Sequence, residues 1–486
     1  MGYRAELMAT LPELVTRFDA VRPAARAAVL GRLWGALARE PLPGLLWRRG
    51  DASALTVAFE NGYRVTGPAA AAGIISPALP GLTLDRRTVT DPAALVRALW
   101  HGPAGDRLAS EVSGSVDGLA LARAHRPAGD EGTRDSSWYE QSVVDSHPLH
   151  PCCRNRPGLS IAELIRYAPE YRPVIDLPLV AVPRERVRAT PDWPLVDGEA
   201  FLLPVHPWQR DHVLPRYGLT PATSWPARPL MSLRSLATAR WQIKTSIDVQ
   251  LTAAVRGLSR AAVDNGPALS RVLPDLPGLT FLREVHSAGI DSHLSAVLRE
   301  PPERHLRPGE VAIPFSALAG VGPDVAAVVT VTVPPLLRML DRGVALEAHG
   351  QNTLLVLDQD ARPLRLLYRD LGGVRISPGR FGNCPALRGG LATDDPVVLH
   401  TKLAGSLVML LAELIHRTGD ETRWHHVART IDATYAELPA DSWNRQHRAL
   451  FFTPALPLKA YTTMRLADDA RTDVWGWTPN PLVGHR

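Results

Sequence analysis

Between Val344 and Asp358 the chain reads VALEAHGQNTLLVLD, and a short connection later LLYRDLGG runs from Leu366 to Gly373. Glu347, His349, Gln351 and Asn352 stand together at the end of one apolar run, and Arg369 and Asp370 at the end of another. Both runs have a strand-like pattern, and Asp-Gln-Asp-Ala-Arg-Pro between them is a turn signal, so a hairpin brings Asp370 back beside Glu347. Oxygen ligands from Glu347, Asn352 and Asp370 then form a hard-cation site. They suit Mg²⁺, which keeps several waters and shares itself with nucleotide phosphates. A hairpin with polar residues on its solvent face accounts for the same letters without chemistry.

Two other stretches carry dense polar sets. In DSHPLHPCCRNRPGLS, Asp145 to Ser160, His147 and His150 each precede a proline, and Arg154 and Arg156 give the loop an anion-binding character. The same histidines with Cys152 and Cys153 raise zinc, but adjacent cysteines chelate one tetrahedral ion poorly and no second CxxC is available. In Arg228 to Ser259, two strand-like runs offer Ser232, Arg234, Ser235 and Lys244. A helix is expected from about Ser246, with Thr252 and Arg256 four apart on one face. Hydroxyls interleaved with arginine and lysine suit a phosphate chain or a carboxylate. His206, at the end of a buried strand that stops at Pro207, reads as packed rather than catalytic.

These groups need a sizeable scaffold, and 486 residues imply two or three subdomains. An apolar content of 45% and a charged content of 21% describe a soluble globular chain. With no apolar leader at the start and no run of 18 apolar residues, a cytoplasmic protein with no membrane partner is expected. Three cysteines argue against a disulfide scaffold. The net charge of +5 comes from scattered residues with no basic, aromatic-interleaved patch, so an anionic small molecule is a better partner than nucleic acid. Of 54 basic residues only Lys244, Lys402 and Lys459 are lysine. In so arginine-biased a chain, a surviving lysine marks a place for a compact ammonium rather than a planar fork.

The positioning elements follow from periodicity. Leu11 to Leu37 reads as helix interrupted at Pro23, Leu55 to Val65 as a hairpin around Asn61-Gly62, and Asp91 to Trp100 as a helix with an Asp-Pro start. None of these first 140 residues looks chemical, and the polar segment His125 to Ser137 is a boundary. The runs LTFLREV and LSAVLRE continue the sheet. Helix is expected from Pro334 to Gly343, from Pro396 to His416 and from Thr422 to Leu438. No internal repeat, P-loop or GxGxxG is present, so bound ATP is not held by a Walker loop.

In order, HPLHPCCRNRPG, LLPVHPWQ, SLRS, KTSIDVQLTAAVRGLS, EAHGQNTLL, YRDLGG, LPLKAYTTMRL and a terminal NPL resemble the NRPS-independent siderophore synthetases, the IucA/IucC (aerobactin synthetase) family. The likeness runs from about Asp145 to Leu482 and is loose before that. It implies an α+β fold shaped as a cupped hand, with mixed sheets and flanking helices. A reduced thumb would span 1–140, fingers binding the nucleotide phosphates 141–300, and a palm with the Mg/ATP and carboxylate site 301–486. It also implies a homodimer. The implied activity is MgATP-dependent adenylation of a carboxylate, citrate or a related acid, and transfer of the acyl group to an amine or alcohol, with release of AMP and pyrophosphate.

Carried over position by position, the resemblance gives Ser232, Arg234, Ser235 and Lys244 to the phosphates and Glu347, Asn352 and Asp370 to Mg²⁺, with Gln351 in the nucleotide site. Arg256 and His349 grip substrate carboxylates, His147 and Arg154 face the reacting phosphate, and Lys459 and Arg465 help bind the carboxylate. Arg154 stands where the family usually has lysine, Ser235 where threonine is common, and Ala253 where a small hydroxyl residue often follows Thr252. Two other readings use the same residues: a Mg-dependent phosphotransferase, separated by ADP as product, and a non-catalytic relative that binds nucleotide or carboxylate.

Overall fold

The computed structural model describes residues 2–125, 134–252, 254–467 and 472–483. Helix α1, Val15–Arg39, runs straight through Pro23 instead of breaking there. A helical proline costs about 3 kcal/mol. From Val29 to Leu37 the helix is buried at every position, and large side chains return about 1.5–3 kcal/mol each on burial. The Asn61-Gly62 hairpin forms as expected, with Gly62 at φ 90°, inside a five-stranded antiparallel sheet. Most of the boundary segment at His125 to Ser137 lies outside the described residues.

A nine-stranded antiparallel sheet follows, with β1, Ser235–Ala237, and β2, Gln242–Thr245, near its middle. The helix expected from Ser246 is absent. In its place β3, Ile247–Leu251, and β4, Ala254–Arg256, form an antiparallel hairpin. Ile247, Val249 and Leu251 are buried in alternation, a period of two that overrides the hydroxyl spacing read as helical. Thr252 turns the chain at φ 61°, and Ala253 lies outside the described residues. LTFLREV divides between sheets: Leu279–Phe281 pairs parallel with the strand Pro363–Tyr368, whereas Glu284–Gly289 and Ser295–Arg299 belong to the nine-stranded sheet.

Helix α2, Val325–Asp341, begins nine residues before Pro334 and contains both prolines. Its valine-rich start favours strand by propensity. Asp324, however, caps the amides of Ala326 and Ala327, and Val325, Val328, Val329, Thr332, Val333 and Leu336 are buried at helical spacing. The expected hairpin follows as β5, Thr353–Leu357, and β6, Pro363–Tyr368, with Thr353 opposite Tyr368. Helix α3, Pro396–Thr418, is capped by Asp395 and ended by Gly419 at φ 67°. By length and composition α3 could cross a membrane, but 89% of its most apolar window is buried, which is the pattern of a core helix. A last hairpin joins β7, Ala455–Lys459, to β8, Trp475–Pro479.

Three large apolar clusters hold these elements, and they cross the expected limits at 140 and 300. The first takes α1 together with Cys152, Ile161, the β3 residues Ile247, Val249 and Leu251, and Leu466. The second lies on the nine-stranded sheet, and the third unites α2, α3, β5 and β6. The polar stretches singled out above lie where these clusters meet.

Candidate active site

Lys244 on β2 stands directly opposite Ser235 on β1, so sheet register alone puts these two groups side by side. Ser232 precedes them in a tight turn in which Leu233 adopts φ 64° and the Ser235 amide donates to Ser232 Oγ at 3.0 Å. Arg234 is spent partly on structure: its Nη1 donates to the carbonyls of Arg256 and Gly257 at 3.0 and 3.3 Å. Burial and the nearby Arg256 lower its pKa to about 10.

On the other side, β5 and β6 deliver the carboxylate set. The Arg369 amide donates to Asn352 O at 3.0 Å, and Asp370 follows at φ 70°, a left-handed backbone that is strained for a non-glycine residue. Arg369 itself points inward to Glu140 at 2.6 Å and Gln242 at 3.1 Å. Glu140 comes from the stretch that showed no chemistry, and it anchors the arginine on which Asp370 depends. Lys244 Nζ reaches Asp370 Oδ1 at 2.8 Å, so the two halves meet across one ion pair.

The other two lysines gather on Glu347. Lys402 Nζ lies 2.9 Å and Lys459 Nζ 3.5 Å from Glu347 Oε1. Both also contact Asp473, at 3.4 and 2.8 Å. Burial alone raises the Glu347 pKa, but Lys402 and then Lys459 outweigh it and hold the carboxyl at about 2. Burial likewise opposes ionisation of Asp370, yet Lys244 and Arg299 keep it well below the usual range. Gly373 packs against Glu347 so closely that an added Cβ would come 2.0 Å from Oε2. All three lysines of the chain therefore stand at one site.

Three histidines line the same space in one configuration. Nδ1 of His147, His150 and His349 each accepts the amide two residues on, from Leu149 at 3.2 Å, Cys152 at 3.0 Å and Gln351 at 3.3 Å. A neutral imidazole whose Nδ1 accepts carries its proton on Nε2 and is a donor there. Burial, with lesser contributions from His349, Arg32 and Lys459, drops the His147 pKa to about 3. Burial also lowers His349, against the pull of Glu347 and Asp370. Tyr461 packs on both His147 and His150, with ring centroids at 4.6 and 4.9 Å.

These groups line one cleft of about 670 Å³. Its wall includes His147, Arg154, Ser232, Arg234, Ser235 and Lys244, then Arg256, Glu347, His349, Gln351, Asn352, Asp370 and Lys459. Arg154 is largely committed, donating to Val143 O and Val144 O at 2.6 and 2.7 Å and pairing with Glu170 at 3.0 Å. Arg465, expected at the substrate carboxylate, is not part of the wall. Its Nε donates to Glu111 at 2.8 Å, a buried pair that in turn holds Gln250 of β3. An arginine buried in an apolar cluster is satisfied first by the nearest buried carboxylate.

Sequence reasoning did not find Asp473, Tyr461 or the α3 residues Met409, Leu410 and Glu413, which also line the cleft. Lys402 had one signal, the scarcity of lysine. For Mg²⁺ the donor chemistry fits: Glu347 and Asp370 are both kept ionised, their hard oxygens share the cleft with Asn352, and each has one oxygen without a lysine partner. Among the described residues no third Asp, Glu, His or Cys joins them.

An α+β scaffold with mixed and antiparallel sheets thus presents a cleft in which a hydroxyl and cation cradle faces a pair of ionised carboxylates. Residues 136–320 match the IucA / IucC family, and residues 325–474 match the ferric iron reductase FhuF-like transporter family. Staphyloferrin A synthase of Staphylococcus aureus is 25% identical over 426 residues, covering 70% of this chain and 71% of that protein. D-ornithine–citrate ligase of the same organism is 22% identical, covering 71% and 69%. The petrobactin biosynthesis protein AsbB from Bacillus anthracis has the same fold, with a TM-score of 0.80 at 18% identity over 97% of this chain and 98% of that one. The ATP-bound aerobactin synthetase IucA from Klebsiella pneumoniae gives 0.76 at 18% identity over 95% and 99%. The IucA / IucC match thus covers the part of the chain that carries the hydroxyl and cation cradle, and over nearly its whole length the chain has the fold of the aerobactin synthetase IucA.

Proposed function

We propose that the protein is an AMP-forming ligase that adenylates a citrate-type carboxylate with MgATP and transfers the acyl group to an amine or alcohol. The Lys244–Asp370 contact carries this reading, because there the strand pair suited to phosphates meets the hairpin suited to a metal. Names among its relatives, such as D-ornithine–citrate ligase, support citrate as the acid.

ATP would lie with its phosphates along Ser232, Ser235 and Lys244 and its α-phosphate toward His147. Glu347, Asn352 and Asp370 would hold Mg²⁺, whose charge neutralises the phosphate oxygens. Arg256, close enough to Arg234 to lower the latter's pKa, offers a guanidinium to a substrate carboxylate, with His349 Nε2–H and Lys459 beside it. A substrate oxygen attacks the α-phosphorus, that P–O bond forms, and pyrophosphate leaves. The amine nitrogen then attacks the acyl carbon, the C–O bond to AMP breaks, and the nitrogen gives up one proton. His147, fixed as an Nε2–H donor, stabilises developing oxyanion charge and is not the base for that proton.

The test is incubation with MgATP, hydroxylamine and citrate, succinate or α-ketoglutarate, with nucleotide products resolved. AMP, pyrophosphate and a hydroxamate from one acid are expected. ADP would replace the ligase with a phosphotransferase, and absence of carboxylate-dependent turnover across a wider acid panel would overturn both.

A further inference from the structure

Two carboxylates in the cleft, Asp473 and Glu413, have no part in that scheme, and Asp473 is held by Lys402 and Lys459. Glu413 lines the wall with Met409 and Leu410, on the same helix as Lys402. Residues 402, 406, 409, 410 and 413 fall on one helical face. Along it Lys402 meets Glu347, Ser406 Oγ accepts the Ala348 amide at 3.0 Å, and Met409 packs with Leu149 and Leu458, the neighbours of His147, His150 and Lys459. Glu413 lies one turn beyond Met409, about 6 Å further along the axis. The face therefore passes from the reacting groups across an apolar strip to a carboxylate.

That carboxylate is poorly matched. Asp370, Glu347 and Asp473 each have a lysine nitrogen within 2.9 Å. Among the described residues the ion pair at Glu413 is Arg417 at 3.5 Å, with Arg417 51% and Glu413 only 16% exposed. Arg32, the other nearby cation, is committed to Cys153 Sγ and Asp145 O, at 2.7 and 2.9 Å. Burial raises the Glu413 pKa, with Arg417 opposing. A largely buried carboxylate in a cavity wall is stabilised by a cation that enters the cavity.

We propose that Glu413 binds the far ammonium of the second substrate, an alkyl diamine whose methylenes cross Met409 and Leu410 while its reacting nitrogen lies near His147. The nucleophile is then a diamine and not an alcohol or a carboxylate-bearing amino acid, and its far ammonium stays protonated while the reacting nitrogen loses one proton on amide formation. This rests on the ligase reading. The test compares cadaverine with pentylamine, its equal-length monoamine, in amide formation by the wild type, Glu413→Gln and Glu413→Asp, each normalised to hydroxamate formation by the same preparation. Wild type should favour cadaverine by about tenfold or more in kcat/KM, Glu413→Gln should bring the ratio near one, and Glu413→Asp should keep part of it. An unchanged ratio in Glu413→Gln, or no preference in wild type, overturns the assignment. Calorimetric binding of cadaverine separates it from the ligase reading: if wild type makes no AMP, loss of binding in Glu413→Gln still supports the site, and equal binding removes it.

Discussion

Lys402→Met isolates the role of a residue that touches Glu347 without being expected to touch substrate. Glu347 sits at about 2 instead of its ordinary 4.5. At 1.36 kcal/mol per pH unit, its charged form is favoured by about 3 kcal/mol. Lys402 and Lys459 share that effect, and Lys402, at 2.9 Å against 3.5 Å, carries the larger part, about 2 kcal/mol. Glu347 stays ionised at neutral pH without Lys402 but is no longer held in place, and through that lost positioning Lys402→Met lowers kcat/KM for hydroxamate formation by about 30-fold. The decisive measurement is a double-mutant cycle with Glu347→Gln. In that background Lys402→Met should cost less than about threefold, because the carboxylate it holds in place is already gone. A full 30-fold loss in the Glu347→Gln background would show that Lys402 acts on substrate directly, and no loss in the wild-type background would show that Lys459 suffices. Either result refutes the argument.

Gly373→Ala should lower activity by more than about tenfold, since its Cβ would meet Glu347 Oε2 at 2.0 Å and move the carboxylate; restoration of wild-type kcat/KM would show that Glu347 position is not critical. His147→Ala should cost about 10²–10³ in kcat, as for a lost oxyanion donor, and His147→Gln less. Because burial holds His147 at about 3, its loss should leave no acid limb missing from the pH–rate profile between 5 and 8; a limb near 6.5 that vanishes in His147→Gln contradicts the Nε2–H assignment. Asp370→Asn should abolish carboxylate-dependent AMP release, and unchanged turnover would remove it from the metal set. Stability should fall on acidification. Burial lowers His206 and His400 to about 3 and His447 to about 4, so the unfolded chain takes up protons below pH 6.5 that the folded protein refuses. With His147 the loss between pH 7.5 and 5.5 is roughly 1 kcal/mol per histidine. Glu40 and Glu413, raised by burial, act in the opposite direction. Unfolding midpoints that do not drop across this window would refute the neutral assignments.

The β5–β6 hairpin was legible because alternation and a turn signal are local, and the register Thr353 opposite Tyr368 then fixes where Asn352 and Asp370 lie. The cradle was legible for the same reason, Ser235 facing Lys244 across two short strands. The Arg256 segment was misread because hydroxyl spacing mimicked a helix, while the deciding fact was tertiary: Ile247, Val249 and Leu251 enter a core built by α1. Arg465 lies off the cleft wall for a like reason, its partner Glu111 being 354 positions away in the sequence. Asp473 had no local signal at all. Its importance comes from two lysines on α3 and β7 that only the folded chain brings to it.

The lysines connect these observations. A chain with 54 basic residues uses arginine for its fixed buried pairs, such as Arg156 with Glu170 and Arg465 with Glu111. Arginine engages a carboxylate through a rigid fork and holds both oxygens, which suits a permanent strut. Glu347 and Asp370 must instead be held ionised and in place while leaving an oxygen for another ligand. An ammonium contacts one oxygen and can swing to a phosphate when nucleotide enters. Lysine at positions 244, 402 and 459 therefore follows from the need for reversible pairing at this cleft, and replacing Lys244 by arginine would retain the charge while removing that reversibility.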